Sequence, residues 1–211
     1  MSAGARRRPR LAAAARPRTK PPEVRRGDLL AAATRLFLDK GVDPTTIDDI
    51  VAAAGVAKGT FYLYFSSKDD LVAALRARFQ DRLVAHIAEG IAARPADDWQ
   101  GKLRAWVERA VGGYLDDYAL HDIVFHDSRP THRHQKAHNA AVAQIETLLG
   151  EGAAAKAWRV ADPRMAAIFL FHGLHGVVDG IIDAAEDGAA SRRAAVKALT
   201  RLVAGVVAAA G

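Results

Sequence analysis

One short run of the sequence gathers side chains that can recognise a phosphate or a base edge. In KGTFYLYF, residues 58–65, Lys58 brings an ammonium group, Thr60 a hydroxyl, and Tyr62 and Tyr64 two phenols. Such groups donate hydrogen bonds to phosphate oxygens and contact bases. The run also holds four of the chain's fourteen aromatic residues. Its composition indicates nucleic-acid binding rather than catalysis.

Three further groups of residues contain histidines, whose rings can bind metals or transfer protons. HGLHGVVDG places His172, His175 and Asp179 on one face of a predicted helix, at spacings of three and four. The other groups are His121, Asp122, His126 and Asp127, and then His132, His134 and His138. Two histidines and a carboxylate can hold a divalent metal, but the glutamate that serves as general base in zinc hydrolases is missing. A pocket or interface role for His172 and His175 is therefore favoured, and we predict neither a metal nor a cofactor.

Composition excludes several function classes. The 211 residues include no cysteine, which removes disulfides, zinc fingers and thiol catalysis. We find no nucleophile–base motif, so the chain is not expected to be an enzyme. No apolar run approaches the roughly 20 residues that cross a bilayer, and the N-terminal LAAAA is too short for a signal-peptide core. These features predict a cytoplasmic protein without a membrane partner.

Positive charge is concentrated at the N-terminus. The chain has a net charge of +6, whereas residues 1–26 hold nine basic residues and one acidic residue. The first 22 residues have no apolar periodicity and are expected to form a disordered arm. Such an arm is either a solubilising tail or a segment that binds polyanions, and its arginines favour the second interpretation.

The KGTFYLYF run lies in the third of three predicted helices. The first covers residues 23–40, and the second ends near Ala54 after a capping signal formed by Thr45 with Asp48 or by Thr46 with Asp49. The third covers about 57–65, beyond an Ala-Gly-Val turn. Two short helices joined by such a turn predict a helix-turn-helix.

The four rings of the run have different expected roles. Phe61 and Phe65 are four residues apart, so they are expected to share one helix face and to pack in a small core. That core also contains Leu36, Phe37 and Ile47. Tyr62 and Tyr64 lie off this face, which leaves their hydroxyls available to DNA, and Lys58, Gly59 and Thr60 form a first turn that favours an anion.

Residues 28–71, DLLAAATRLFLDKGVDPTTIDDIVAAAGVAKGTFYLYFSSKDDL, closely resemble the N-terminal domain of TetR-family transcriptional regulators. The shared features are the Leu-Phe, Ala-Gly-Val and Lys-Gly-Thr steps with the Tyr, Phe and Lys that follow. Val51 stands where alanine is usual, and Tyr64 where histidine is also common. The resemblance implies a set of DNA-binding residues: Thr45, Thr46, Ala57, Lys58, Gly59, Thr60, Tyr62, Tyr64 and Lys68.

The remainder of the chain is predicted to be helical throughout, which makes the fold all-α with about nine helices. The expected helices are 67–92, 97–118, 119–127, 133–150, 163–186 and 190–209. The predicted domains are the arm at 1–22, the helix-turn-helix domain at 23–70, and a ligand-binding and dimerisation domain at 71–211.

Two sites are expected in the larger domain. The ligand pocket is predicted to involve Trp106, Tyr114, Tyr118, Phe125, His138, His172 and His175. The resemblance implies that the last two helices pair with their copies in a homodimer, through Phe169, Gly173, Val177, Gly180, Val196, Leu199, Val203 and Val206.

The sequence thus predicts a ligand-responsive regulator, most simply a repressor. It would bind a palindromic double-stranded DNA operator as a homodimer and leave it when a small-molecule effector binds. Two alternatives stay open. One is an architectural DNA-binding protein without an effector, and the other is a metal-dependent enzyme that uses the histidines.

Overall fold

The computed structural model describes residues 21–125, 140–184 and 188–209, without the side chains of residues 124, 125, 208 and 209. The described part contains nine helices: α1 Pro22–Lys40, α2 Ile47–Ala54, α3 Lys58–Tyr62, α4 Lys68–Ala92, α5 Trp99–Asp116, α6 Tyr118–Phe125, α7 Ala140–Ala154, α8 Pro163–Asp183 and α9 Ala189–Val206. The predicted all-α class is confirmed. The predicted arm lies outside the described residues except for Pro21 and Pro22, as does the start of the helix expected at 133–150.

The N-terminal domain forms its own core from α1, α2, α3 and the first turns of α4. Phe37, Ile50, Phe61, Phe65 and Leu71 are almost fully buried there. The predicted packing of the two phenylalanines against the first two helices is therefore confirmed. The turn between α2 and α3 begins at Gly55, whose φ of 67° lies in the left-handed region that glycine adopts readily.

Helix α3 is shorter than predicted, because it ends at Tyr62 and not at residue 65. The backbone N–H of Phe65 still donates to the carbonyl of Phe61 at 2.9 Å, so the chain curls on for another turn after the helix. This turn places Phe65 in the core, where its ring centroid lies 5.6 Å from that of Phe61.

Helices α4 to α9 enclose a second, larger core. It includes Trp106, Val111, Ile145, Leu149 and Val178, all nearly inaccessible to solvent. Helix α7 continues to Ala154, beyond its predicted end at residue 150. A Cβ atom at Gly152 would lie 2.1 Å from the Trp158 ring, so this glycine provides room for an indole rather than a helix end.

Two small features differ from the expectations. Trp158–Arg159 pairs antiparallel with Ala208–Ala209, a two-residue strand pair that the sequence did not predict. Helix α8 is also long and apolar enough to cross a membrane by length and composition, with a mean hydropathy of 1.6. It nevertheless packs on α7 and buries Ala167, Leu170 and Leu174 inside the larger core. Its remaining apolar surface is open in this single chain.

Candidate nucleic-acid interface and ligand cluster

The N-terminus of α2 is fixed by a reciprocal capping box. Thr46 Oγ1 accepts from the backbone N–H of Asp49, and the Asp49 carboxylate accepts from the backbone N–H of Thr46 at 2.9 Å. This resolves the two capping alternatives in favour of the Thr46–Asp49 pair. Hydrogen bonds from the Lys40 ammonium and from Thr46 hold the pKa of Asp49 below its usual range. Thr46 itself remains exposed, beside the start of α2.

Thr45 has a structural role that the sequence did not indicate. Its side chain is fully buried, and its hydroxyl donates to the carbonyl of Gly41 at 2.7 Å. A buried hydroxyl engaged inside the protein cannot reach a DNA surface. The prediction of Thr45 as a DNA contact is therefore wrong, because the resemblance marks the position but does not distinguish the capping threonine from its buried neighbour.

Helix α3 presents an exposed polar surface, as expected for a helix that reads DNA. Ala57, Lys58 and Gly59 are exposed, Thr60 is half-buried, and Tyr62 is 53% exposed. A Cβ atom added to Gly59 would meet nothing within 4 Å. Glycine costs a helix roughly 1 kcal/mol relative to alanine, and no contact inside the described residues requires it here.

The positive charge of α3, on Lys58, forms an ion pair with a carboxylate of the neighbouring helix. Lys58 Nζ lies 2.8 Å from Oδ1 of Asp48 on α2, and this carboxylate raises the pKa of Lys58. Both side chains are largely exposed, so such a pair contributes little stability in water. A phosphate can therefore replace Asp48 at a small cost.

Leu63 is a surface residue that sequence reasoning missed. It directly follows α3 and is 77% exposed, more than any other large apolar side chain in the described residues. Its position off the Phe61–Phe65 face was the available signal. An exposed aliphatic group beside polar reading residues suits contact with a thymine methyl group.

Lys68 has three partners on the loop that joins α1 to α2. Its Nζ donates to the carbonyls of Val42, Asp43 and Thr45, at 2.7, 3.0 and 3.0 Å. An ammonium group has three donors, so this arrangement uses all of them. In this structure Lys68 therefore ties α4 to the α1–α2 loop, and a phosphate contact requires one of these bonds to be exchanged.

Tyr64 is more enclosed than the sequence indicated. It is half-buried and packs on the N-terminal core, whereas Tyr62 projects outward. The two tyrosines are therefore not equivalent, and the accessible phenol of this pair belongs to Tyr62.

A polar cluster lies inside the larger domain, and we call it the Tyr114 cluster: Tyr114, His121, Phe171, His175 and Asp179. The Tyr114 hydroxyl donates to Asp179 Oδ1 at 2.8 Å. Burial, together with this carboxylate, raises the pKa of Tyr114 far above its usual range. The ring of Tyr114 lies 4.4 Å from that of His121 and 4.7 Å from that of His175, measured between centroids. Buried polar groups set among rings are typical of ligand sites.

The structure separates the predicted pocket residues. Tyr114 and His175 meet in the Tyr114 cluster. Trp106 is buried, and its Nε1 has no hydrogen-bond partner among the described residues. Tyr118 is 37% exposed, outside the cluster. His172 is exposed on α8, and its ring centroid lies 5.5 Å from that of Phe171, so its role as a pocket residue stays a prediction. The side chain of Phe125 and the whole of His138 lie outside the described residues.

His121 was not predicted as a pocket residue. It is only 8% exposed, and its α6 neighbours Leu120 and Ile123 pack on the core of the N-terminal domain. Helix α6 therefore contacts the Tyr114 cluster with one side chain and the helix-turn-helix domain with two others. The signal in the sequence was the change from polar to apolar residues within HDIVF, which indicates that α6 has two different contact surfaces. Assigning only one buried face to the helix overlooks this.

The predicted dimer residues also fall into two groups. On α8, Phe169 is 65% exposed, and Gly173, Val177 and Gly180 lie on the same open face. On α9, Leu199 and Val203 are buried in the chain's own core, and Val196 and Val206 pack against it. Leu199 and Val203 therefore belong to the internal face, whereas Val196 and Val206 are half-buried and stay predicted interface residues. The large apolar side chain that α9 exposes is Leu202, at 62%.

Within the described residues, no group of three His, Asp or Glu side chains is arranged to hold a metal ion. His126, His132, His134 and His138 lie outside the described residues.

Comparison with known sequences supports the resemblance noted above. Residues 29–75 match the profile of the family described as bacterial regulatory proteins, tetR family. The HTH-type transcriptional activator FasR of Mycolicibacterium smegmatis is 38% identical over 109 residues, which are 52% of this chain and 44% of that protein. The HTH-type transcriptional repressor KstR2 of Mycobacterium tuberculosis is 36% identical over 86 residues, or 40% of this chain and 43% of its own length.

The chain thus spans less than half the length of the curated relatives that it matches. Over the whole fold, the fatty acid degradation regulator FadR from Bacillus halodurans aligns with a TM-score of 0.72 at 23% identity, covering 89% of this chain and 97% of the other. At this identity the likeness establishes the fold. The relatives are transcriptional regulators, which are not enzymes, and the predicted family resemblance is confirmed.

Proposed function

We propose that this chain, whose residues 29–75 match the TetR family of bacterial regulatory proteins, is a ligand-responsive repressor. In this proposal a cytoplasmic homodimer binds a palindromic operator and leaves it when a small molecule binds the larger domain. The observation that carries the proposal is the exposed surface formed by Lys58 and Tyr62 of α3 and by Leu63, which directly follows this helix. The buried core of the N-terminal domain supports this surface.

Gly59 is the most informative residue of that surface. Its Cβ position faces open space in the free protein, so the lack of a side chain serves no internal contact. A glycine in a helix that nothing inside the protein requires is accounted for by close approach of a partner backbone. In the major groove that partner is the sugar–phosphate chain beside the bases.

We expect Tyr62→Ala to remove sequence preference while leaving the fold intact. Tyr62 is 53% exposed, so its loss does not open a core cavity, whereas a lost base contact costs about 1–3 kcal/mol of discrimination. The measurement is selection of bound duplexes from a random DNA pool by wild type and variant, followed by titration on the selected site and on a scrambled duplex.

Leu38→Ala is the matched control, since it trims an exposed side chain of α1 that is away from α3. It should select the same sequence as wild type. A Tyr62→Ala protein that keeps the wild-type preference would contradict the assignment of α3. Failure of the wild type itself to select any sequence would favour an architectural DNA-binding protein.

The Tyr114 cluster is the site at which we place the effector. A ligand at this site competes for the Tyr114–Asp179 hydrogen bond or separates the rings of His121 and His175. In either case it must displace α6 or α8. Because Leu120 and Ile123 of α6 pack on the N-terminal core, displacement of α6 is transmitted to that domain. A ligand releases DNA only if it favours the arrangement in which the two reading helices no longer fit adjacent grooves.

Homodimerisation is supported by the open face of α8, which we call the α8 face: Phe169, Gly173, Gly176, Val177 and Gly180. Cβ atoms added to the three glycines would meet nothing within 4 Å, so no packing among the described residues requires these glycines. Three such glycines in one helix cost stability unless another helix approaches closely. Leu202 and Gly205 are exposed on α9, which packs against α8. A second copy of the same face is the occupant that fits.

We expect Phe169→Arg combined with Leu202→Arg to give a monomer. The two guanidinium groups would have to be desolvated in an apolar seam, while in the monomer they remain in water. Light scattering should report half the wild-type mass, and operator affinity should fall because each half-site is then bound separately. The control is Leu199→Ala, which weakens the chain's own core but leaves the α8 face unchanged. An intact dimer in the double variant would place the interface elsewhere.

A further inference from the structure

A groove of about 570 Å³ opens between α5 and α9. None of its lining residues belongs to the Tyr114 cluster or to the N-terminal domain. Among them, five basic residues face one acidic residue, Glu108. The basic residues are Arg104, Arg192, Arg193, Lys197 and Arg201. A concave surface with such an excess of positive charge concentrates anions from solution.

Two of the five cations are paired with carboxylates of the same chain. Arg104 Nε donates to Glu108 at 2.8 Å, and Arg192 donates to Asp116 at 2.7 Å. The Arg104–Glu108 pair connects neighbouring turns of α5, and the Arg192–Asp116 pair connects the start of α9 to the end of α5. Both pairs shape the groove, and its net positive charge comes from the other three cations.

The other three cations, Arg193, Lys197 and Arg201, form a row along α9. They recur every four residues, so at 1.5 Å per residue the row is about 12 Å long. No ion pair within the described residues neutralises them. Like charges at this spacing repel each other and destabilise a helix. An anion that spans several turns would relieve this repulsion.

We propose that the α5–α9 groove binds the phosphate chain of a polyphosphorylated ligand. Arginine forms forked hydrogen bonds with phosphate oxygens, and two of the three cations in the row are arginines. One phosphate group reaches one or two of them, whereas a chain of phosphates follows the whole row. The half-buried Val196 adds an apolar surface beside the row. This site does not depend on the proposed repressor function.

The test is calorimetric titration of the full chain with orthophosphate, inorganic triphosphate and ATP. We expect triphosphate and ATP to bind much more tightly than orthophosphate. Lys197→Gln combined with Arg201→Gln should weaken triphosphate binding about tenfold, as expected for two solvent-exposed contacts. Tighter binding of ATP than of triphosphate would mean that the groove also holds the nucleoside, whereas equal binding would assign it to the phosphate chain alone.

A matched control separates the groove from general charge effects. Arg78→Gln combined with Arg159→Gln removes two exposed positive charges, one from α4 and one from the short strand Trp158–Arg159, and should leave triphosphate affinity unchanged. Equal weakening by both pairs of substitutions would overturn the proposal, because binding would then follow net charge or the N-terminal arginines. Loss of the dimer in the groove variant, without a change in triphosphate affinity, would overturn it as well and assign the row to the subunit interface.

Discussion

Replacement of Phe65 by alanine is expected to unfold the N-terminal domain and to abolish DNA binding. Phe65 is 2% exposed, and its ring packs against Phe61 in a core made from only three helices and the start of a fourth. Truncation of a buried phenylalanine costs about 3–5 kcal/mol. Small domains have little stability in reserve, so a loss of this size is enough to unfold one.

The measurement is urea unfolding followed by circular dichroism, together with titration of an operator duplex. The variant should lack the helical signal of the smaller domain before urea is added, while the larger domain unfolds as in wild type. Leu38→Ala is the matched control, because Leu38 is 47% exposed and directly follows the buried Phe37 on α1. The full wild-type helical signal, lost at the wild-type midpoint, would mean that Phe65 is not an essential core residue.

The roles of Phe61, Tyr62 and Phe65 could be predicted from the sequence because local geometry determines them. Residues four apart on a helical turn share a face, and a residue one position away does not. The structure follows this rule even though α3 ends at Tyr62, since the chain keeps turning to Phe65. The predicted HTH domain, at residues 23–70, likewise rests on short-range signals such as the Thr46–Asp49 capping box.

Positions that depend on which face meets which neighbour could not be predicted in the same way. On α9, Val203 and Leu202 are adjacent apolar residues, and periodicity does not show which of them faces the chain's own core. The structure buries Val203 against the larger core and exposes Leu202. His121 is a similar case, because its role depends partly on His175 of α8, which is distant in sequence.

Glycines illustrate the same limit. Gly152 lies just beyond the predicted helix end at residue 150, yet it belongs to α7 and provides space for Trp158 from the next segment of the chain. A Cβ atom added to Gly59 or Gly176, by contrast, would meet no other element of the described residues within 4 Å. A sequence shows that a side chain is missing, whereas only the fold shows whether the chain itself fills the space.

Removal of residues 1–20 is expected to weaken binding to operator and to non-specific DNA by similar, large factors. Residues 27–70 hold four basic and seven acidic residues, so the reading domain is itself acidic. The deleted segment contains seven basic residues, which supply most of the long-range attraction to phosphates. Near the point where this segment joins the described chain, Arg26 of α1 packs on the residues that follow α3: its guanidinium carbon lies 5.4 Å from the ring centroid of Phe65.

The expected signature is a change in salt dependence. Each phosphate contact contributes about 0.9 to the slope of log affinity against log salt on B-DNA, so loss of half the seven cations lowers the slope by roughly three per subunit. Affinities of the two proteins should converge as salt rises, because screening removes from the full chain what the deletion removes outright. The measurement is a salt titration of both proteins on an operator and on a scrambled duplex of equal length.

The comparison between the two duplexes separates three roles for the arm. Equal losses on both, with a smaller slope, mean that the arm binds phosphates, while Tyr62 and its neighbours still choose the sequence. Parallel slopes for the full and shortened chains would contradict any backbone contact and leave the arm as a solubilising tail. A loss confined to the operator would mean that the arm reads sequence, since arginines enter the narrow minor groove of A·T-rich DNA and sense its shape.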